Sequence, residues 1–401
     1  MRRRDFLASA TALACLAQTR ISLAALLTPD RLLDAQGRLG FSLLSGLAKT
    51  RRAGENVVLS PASLAAVLSL LDVGADAKMR VALHKTLGFD GPDNKTASDD
   101  LMEVRNAVRD LLRATDGPLL LANALVIDPE VKPRADAIAQ MRALGAEITL
   151  ADVRKPEVIK QINDWVAART KGRIPSILDA PPDQGAVALN ALYFKDFWQR
   201  QFEKSATQAK PFHGVGVSAE VPMMRQTARH AFRQDDRFVA VDLPYRTGRY
   251  SFVVLTTKDK PAPAAEFAPV ASWLDGRGFR SGNVRLELPR FTATDNAGLL
   301  PILAGMGLRE GLASPTAFSG LAQAPLTISG IQQRTFLKVD EEGTEAAAVT
   351  GVMMATRMAE IGEVPVIVDK PFLFVLRDKE SGLMIMSGYI GKPTNGSFAA
   401  R

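Results

Sequence analysis

Side chains able to do acid–base or metal chemistry are few in this chain of 401 residues: three histidines, His84, His213 and His230, and one cysteine, Cys15. None of the histidines has a ligand partner at metal-binding spacing, so each reads as a surface or satisfied imidazole. The acidic pairs Asp99–Asp100 and Glu341–Glu342 carry groups suited to general acid–base work, but adjacent residues rarely face one substrate. No G-x-S-x-G elbow, H-E-x-x-H motif, phosphate loop or dinucleotide fingerprint occurs in the sequence. A hydrolase is therefore disfavoured, and neither a metal nor a cofactor is implied.

The segment from Val339 to Val364 stands out instead, and it has two readings, an ordinary surface helix or a strand. Thr335, Leu337 and Val339 alternate on one face of a strand, after which the sequence reads EEGTEAAAVT from Glu341 to Thr350 and GVMMATRMAEIGEVP to Pro365. Propensity alone makes Glu345 to Glu360 a helix, because Ala, Met and Glu dominate. Parity argues differently: Thr344, Ala346, Ala348 and Thr350 are all small and share one face, with Glu345 on the other, as a strand squeezed between two neighbours requires. Periodicity leaves both readings open.

The elements that must position this segment are those of a large core. With 47% hydrophobic and 23% charged residues the chain is ordinary globular material. A formal charge of +7 is dispersed and not gathered into a basic tract, so it reads as solvated surface and gives nucleic-acid binding no support. Residues 1–20 read as an export signal: Arg2, Arg3 and Arg4, an apolar run from Phe6 to Leu16, and the small-residue pattern Ala12-Leu13-Ala14. The order Arg3-Arg4-Asp5-Phe6-Leu7 resembles a bacterial twin-arginine leader, which implies a periplasmic or extracellular location. The run is too short to span a bilayer. Cleavage after Ala14 would leave Cys15 first, open to lipid attachment and an envelope anchor, although Ala12 stands where lipoprotein signals usually carry Leu.

No linker or repeat divides residues 30–393, so one domain of α+β class is expected. Ser60-Pro61 caps a buried helix through Leu64, Val67, Leu68 and Leu71. Further helices are expected from Ala77 to Leu87 and around Ile159, Ile162, Trp165 and Val166, making the front half helical. Val284, Leu286 and Leu288 alternate, and Tyr250–Thr256, Val364–Val368, Pro371–Leu376 and Leu383–Ile390 are strand runs, with a hairpin turn at Asp378–Gly382. The short stripe Arg105, Arg109 and Arg113 reads as a solvated helix face, and Trp198 and Phe202 as core packing.

Several motifs in register resemble the serpin family: NVVLSPASLAAVLSLLDVGA at Asn56–Ala75, INDWVAARTKGRI at Ile162–Ile174, NALYFKDFW at Asn190–Trp198, VDLPY at Val241–Tyr245, LELPRF at Leu286–Phe291, AFSG at Ala317–Gly320 and KPFLFVLRDKESGLMIMSGYIGKP at Lys370–Pro393. The resemblance implies the serpin fold, with about nine helices, three β-sheets and an exposed reactive loop at about 341–364. It implies a suicide-substrate inhibitor, a monomer that traps a serine protease as a covalent acyl complex when the cleaved loop inserts into a sheet. Glu341, Glu342, Gly343, Thr344, Glu345, Ala346, Ala347 and Ala348 then form the hinge, Gly343 being flexible and Thr344 the first position to insert. Counting from the family's hinge glycine puts the reactive bond at Arg357–Met358, which suits trypsin-like enzymes. A slip to Met358, or a cut after Met354 by an elastase- or subtilisin-like enzyme, stays open, as does a non-inhibitory binding or structural role. Ser60, Ser63 and Asn190 match the polar sheet-opening region, where Gln333 replaces the family's usual histidine.

Overall fold

Ser60 accepts a hydrogen bond from the Ser63 amide at 3.2 Å, and Pro61 supplies the first helical position, so the helix Pro61–Leu71 starts where its sequence signal stands. Every residue of it is buried, which explains a nearly continuous apolar run in place of a stripe. The structure, a computed structural model, describes residues 28–89, 102, 106, 109–110, 117–183, 185–344 and 363–394. Among them lie α1 (Thr28–Ala48), α2 (Pro61–Leu71), α3 (Ala77–Thr86), α4 (Ala135–Ala143), α5 (Pro156–Arg169), α6 (Leu300–Leu303) and α7 (Arg309–Ala313).

One sheet has β2 (Leu119–Ile127) between β3 (Glu147–Leu150) and β4 (Ala186–Phe194), with β4 pairing in parallel with β12 (Ile328–Val339). On the far side of β12 runs β11 (Phe291–Gly298), while the short β13 (Gly343–Thr344) and β5 (Asp196–Phe197) close one end. The second sheet runs β1 (Val57–Leu59), β16 (Met384–Ile390), β15 (Phe372–Asp378), β9 (Tyr250–Thr257), β8 (Phe238–Pro244), β7 (Ser218–Gln234), β10 (Arg280–Pro289), β14 (Val364–Ile367), with β6 (Gln208–His213) also on β7. Strand β7 is 17 residues long and is shared: its first part pairs β6, its middle β10 and its end β8. The second and third sheets implied by the resemblance are therefore joined through this one strand.

The front half is not simply helical, because β2 and β4, the centre of the first sheet, lie there. Both are buried on their two faces, so they show no alternation for periodicity to detect. The turn at Asp378–Gly382 is a hairpin as expected, its Asp378 carboxylate accepting from Ser381 Oγ at 2.8 Å, the Glu380 amide at 3.1 Å and Arg249 Nη2 at 2.7 Å.

Of the three histidines, His84 is buried with Nε2 3.1 Å from Asp72 Oδ1, and His213 ends β6 exposed. His230 is buried within β7, and burial pushes its pKa down to about 4, with Arg200 adding to the depression and Asp242 opposing it. A depressed histidine stays neutral in the folded chain while the unfolded chain takes up a proton near 6.5. Stability should therefore hold above that pH and fall as pH drops from 6.5 towards 4, by at most about 3 kcal/mol from this group. Urea midpoints at pH 7 and 4.5 for the wild type and His230→Gln test this; equal pH slopes in the two proteins would contradict it.

Candidate functional site

Strands β4 and β12 pair directly from Ile328 opposite Ala186 to Phe336 opposite Tyr193. Beyond that pair they part, and β13 fills the gap: Thr344 lies opposite Val339 on one side and Asp196 on the other, antiparallel to both, with Gly343 opposite Phe197. The chain enters this position by reversing after β12. Asp340 makes the turn, its amide donating to the Gly343 carbonyl at 2.9 Å and its Oδ1 accepting from the amides of Glu342 (3.0 Å) and Gly343 (3.3 Å). A Cβ at residue 343 would collide with the Asp196 carbonyl oxygen and Phe197 Cα. Glycine is thus required for close approach of two backbones; its φ is not in the left-handed region, and the flexibility expected of Gly343 is not what this conformation uses.

Thr344 is fully buried, and its Oγ1 shares a hydrogen bond with Tyr245 Oη at 2.6 Å. Burial raises the Tyr245 phenol well above its usual pKa, so the hydroxyl keeps its proton for that bond. The Tyr245 ring stacks on Trp198 at 4.5 Å, and Trp198 Nε1 donates to the Asp340 carbonyl at 2.9 Å. Asp196 beside it accepts from Thr247 Oγ1 at 2.8 Å and from the Phe197 amide, while burial raises its pKa.

The segment after β5 grips the hinge by its backbone: the amides of Trp198 and Phe202 donate to the carbonyls of Glu342 (2.9 Å) and Glu341 (2.8 Å). Its side chains hold the two carboxylates. Thr207 Oγ1 donates to Glu341 Oε1 at 2.8 Å with Arg290 Nη1 at 3.4 Å, and Lys204 pairs with Glu342 and is raised in pKa by it. Glu341 and Glu342 are accordingly only 3% and 9% exposed. Of the loop set at about 341–364, residues 341–344 are built into the sheet head and Val364 already belongs to β14. Glu345, Ala346, Ala347, Ala348, Met354, Arg357 and Met358 lie outside the described residues, as does Cys15.

A second polar group lies lower in the same seam. Asn123, Asn190 and Gln333 stand side by side on β2, β4 and β12. Asn190 Nδ2 donates to Asn123 Oδ1, and Gln333 Nε2 donates to Asn190 Oδ1 at 3.1 Å and to the Ser60 carbonyl at 3.0 Å. Gln333 Oε1 accepts from the Ser60 amide at 2.6 Å; the Ser60 hydroxyl donates to the Ile385 carbonyl and lies 2.9 Å from Ser63 Oγ. The structure therefore brings Ser60, Ser63, Asn190 and Gln333 together, all buried.

Sequence reasoning missed Asn123, Asp196, Asp340, Lys204, Thr207 and Tyr245 at these two sites. Tyr245 and Asp196 stand within VDLPY and NALYFKDFW, so those motifs held the signal. Trp198 and Phe202 are buried as expected, but Trp198 also bonds the turn that starts the hinge.

A protein-family model described as Serpin (serine protease inhibitor) matches residues 34–393. Iripin-8 of Ixodes ricinus is 31% identical over 388 residues, covering 90% of this chain and 93% of that protein. The leukocyte elastase inhibitor of Bos taurus is 29% identical over 383 residues, covering 91% and 100%. Among solved structures, human thyroxine-binding globulin with its ligand superposes with a TM-score of 0.79 at 24% identity, covering 92% of this chain and 100% of that one. Tengpin, a thermophilic serpin in its native state, does so with 0.77 at 23% identity, covering 89% and 94%. These matches span most of the chain, and it belongs to the serpin family, whose members are generally protease inhibitors and not enzymes.

Proposed function

We propose that the chain is a suicide-substrate inhibitor of trypsin-like serine endopeptidases. The protease serine attacks the Arg357 carbonyl carbon, the Met358 amine leaves, and an ester joins Arg357 to the enzyme. The residues after Thr344 then enter the seam between β4 and β12 and carry the ester-bound enzyme away. An arginine before the cut suits a specificity pocket that holds a carboxylate. The leader at residues 1–20 would place this activity in the periplasm or outside the cell, with a lipid anchor if Cys15 is acylated.

One observation carries the reading: Thr344 already sits in the sheet between Val339 and Asp196, antiparallel to both, so the chain leaves it heading into the seam. Extended by the same register, position 346 falls between Leu337 and Phe194 and position 348 between Thr335 and Leu192. All four of those neighbours are fully buried, and the sequence supplies alanine at both positions. A bulky or charged residue there would have no room and no water. Insertion of roughly 12 to 15 residues, at about 0.5 to 1.5 kcal/mol net per backbone hydrogen bond, yields on the order of 10 kcal/mol. That is enough to deform an attached enzyme.

Mixed with trypsin, the protein should give a complex that survives denaturing electrophoresis at a stoichiometry near one, while Thr344→Arg should be cut without complex; a wild type that is merely cleaved refutes inhibition. Nicking the loop should raise the melting temperature by tens of degrees, because each kcal/mol is worth a few degrees in a domain of this size; an unchanged melt would favour the non-inhibitory role. Gln333→Leu leaves the Ser60 amide and carbonyl and Asn190 Oδ1 without their bonds, so a loss of about 3 kcal/mol is expected in denaturant unfolding. Since Ser60, Ser63, Asn123, Asn190 and Gln333 do not titrate, inhibition rates should show no steep change between pH 6 and 7 that Gln333→Leu removes.

A further inference from the structure

The outer face of β7, β10 and β14 carries three arginines that form no ion pair among the described residues. Along β7, Arg225, Thr227 and Arg229 are exposed at alternate positions, and their cross-strand partners on β10 are Glu287, Arg285 and Asn283. Arg285 thus sits diagonally between Arg225 and Arg229, a distance of roughly 7–8 Å for such positions in an antiparallel pair. Of the nearby carboxylates, Glu287 is engaged by Lys210 Nζ at 2.8 Å, and Glu363, exposed just before β14, forms no ion pair with these arginines among the described residues. The side chains of Arg225 and Arg285 have no ion pair or hydrogen bond among the described residues, and that of Arg229 has one bond to a neutral group, Ser281 Oγ at 3.0 Å. Grouped like charges on one sheet face cost stability, and this chain pairs many of its other arginines with acids, among them Arg249 with Asp378 and Arg377 with Asp242.

The position of the cluster indicates what it meets. Arg285 lies opposite Pro365 on β14, the strand that begins at Val364 immediately after the loop. A protein seated on that loop covers about 800 Å² and 20 to 30 residues a side, far more than a loop alone supplies, so the flanking strands fall within its footprint.

We propose that Arg225, Arg229 and Arg285 form an electrostatic docking surface for the protease itself, selecting enzymes whose surface around the active site is acidic. The inference rests on the reading that a protease attacks the loop. It adds a second layer of selection: Arg357 chooses the pocket, and the face chooses the charge of the body around it. Complementary charge acts mainly on the association rate, by factors of 10 or more at low salt, and fades as salt screens it.

The test uses two trypsins with the same primary specificity and opposite net charge, with the second-order rate of reaction at the loop measured whether it ends in complex or in plain cleavage. The wild type should react about tenfold faster with the anionic trypsin at low salt, the ratio should collapse at high salt, and Arg225→Glu/Arg229→Glu/Arg285→Glu should invert it. Stoichiometry of complex formation should stay unchanged in that variant. Should the triple variant fold poorly, the salt dependence of the wild-type ratio and the milder Arg225→Ser/Arg285→Ser decide. Equal rates at low salt, or no reaction at the loop, overturn the proposal. So does binding of a sulfated polysaccharide that the triple variant loses while the trypsins react equally, which would make the face a polyanion site. Preference for the anionic trypsin with cleavage and no complex would uphold the docking surface while overturning the inhibitory mechanism.

Discussion

A parallel ladder between β4 and β12 closes the middle of the first sheet, and the proposed inhibitory mechanism depends on replacing it. Parallel pairing is slightly weaker per residue than antiparallel pairing. A strand entering between the two would run antiparallel to both, exchanging one parallel ladder for two antiparallel ones. Thr344 is held in the first sheet, and Val364 pairs with Val284 in the second. In the proposed mechanism these two anchors oppose the exchange in the intact chain, and a cut between them would free one half to move.

The polar cluster below the hinge fits the same logic. Gln333 keeps two bonds to the Ser60 backbone on the β12 side, and Asn190 keeps Asn123 on the β4 side. The two halves meet in the single bond from Gln333 Nε2 to Asn190 Oδ1. Within this cluster, parting the strands would therefore break one neutral amide bond, in addition to the backbone ladder, and leave the partners on each side in place. A buried charge at this point would make opening far more costly, since separation would expose it unpaired to the core. An amide in place of a titrating imidazole also makes the strength of the seam independent of proton concentration here.

Elements governed by local rules were legible in the sequence, and those governed by long-range burial were not. Ser60-Pro61 announced α2 through capping chemistry, and Val284, Leu286 and Leu288 announced β10 through alternation, because in both cases neighbouring residues carry the signal. The strands β2 and β4 carry none, being apolar except for Asn123 and Asn190 and buried on both faces. The resemblance set the glutamates at 341 and 342 at the start of an exposed loop, yet partners more than 130 residues upstream, Lys204 and Thr207, hold them against the sheet. The neighbours of Gly343 and Thr344, namely Asp196 and Tyr245, are likewise distant in sequence. Their motifs were visible as family resemblance, but the roles of these residues became visible only once the chain was folded.

That distant packing also explains why residue 344 of the hinge is threonine. Its hydroxyl is the partner of a phenol buried beyond the reach of water, so an isosteric valine would leave Tyr245 unsatisfied, and an unpaired buried donor costs more than the bond itself contributes. Its β-branch suits a strand flanked on both sides. Under the proposed mechanism, a residue seated before any cut would have the unfavourable first pairing of a strand entering a closed sheet already made, and each later residue would add to an existing edge. The loop-closure entropy of finding the seam would likewise be removed in advance. Such a mechanism requires fast insertion, since an acyl-enzyme left in place would hydrolyse, and a hinge held at the head of the seam by Tyr245, Trp198 and the Asp340 turn would shorten the search to a zipping motion.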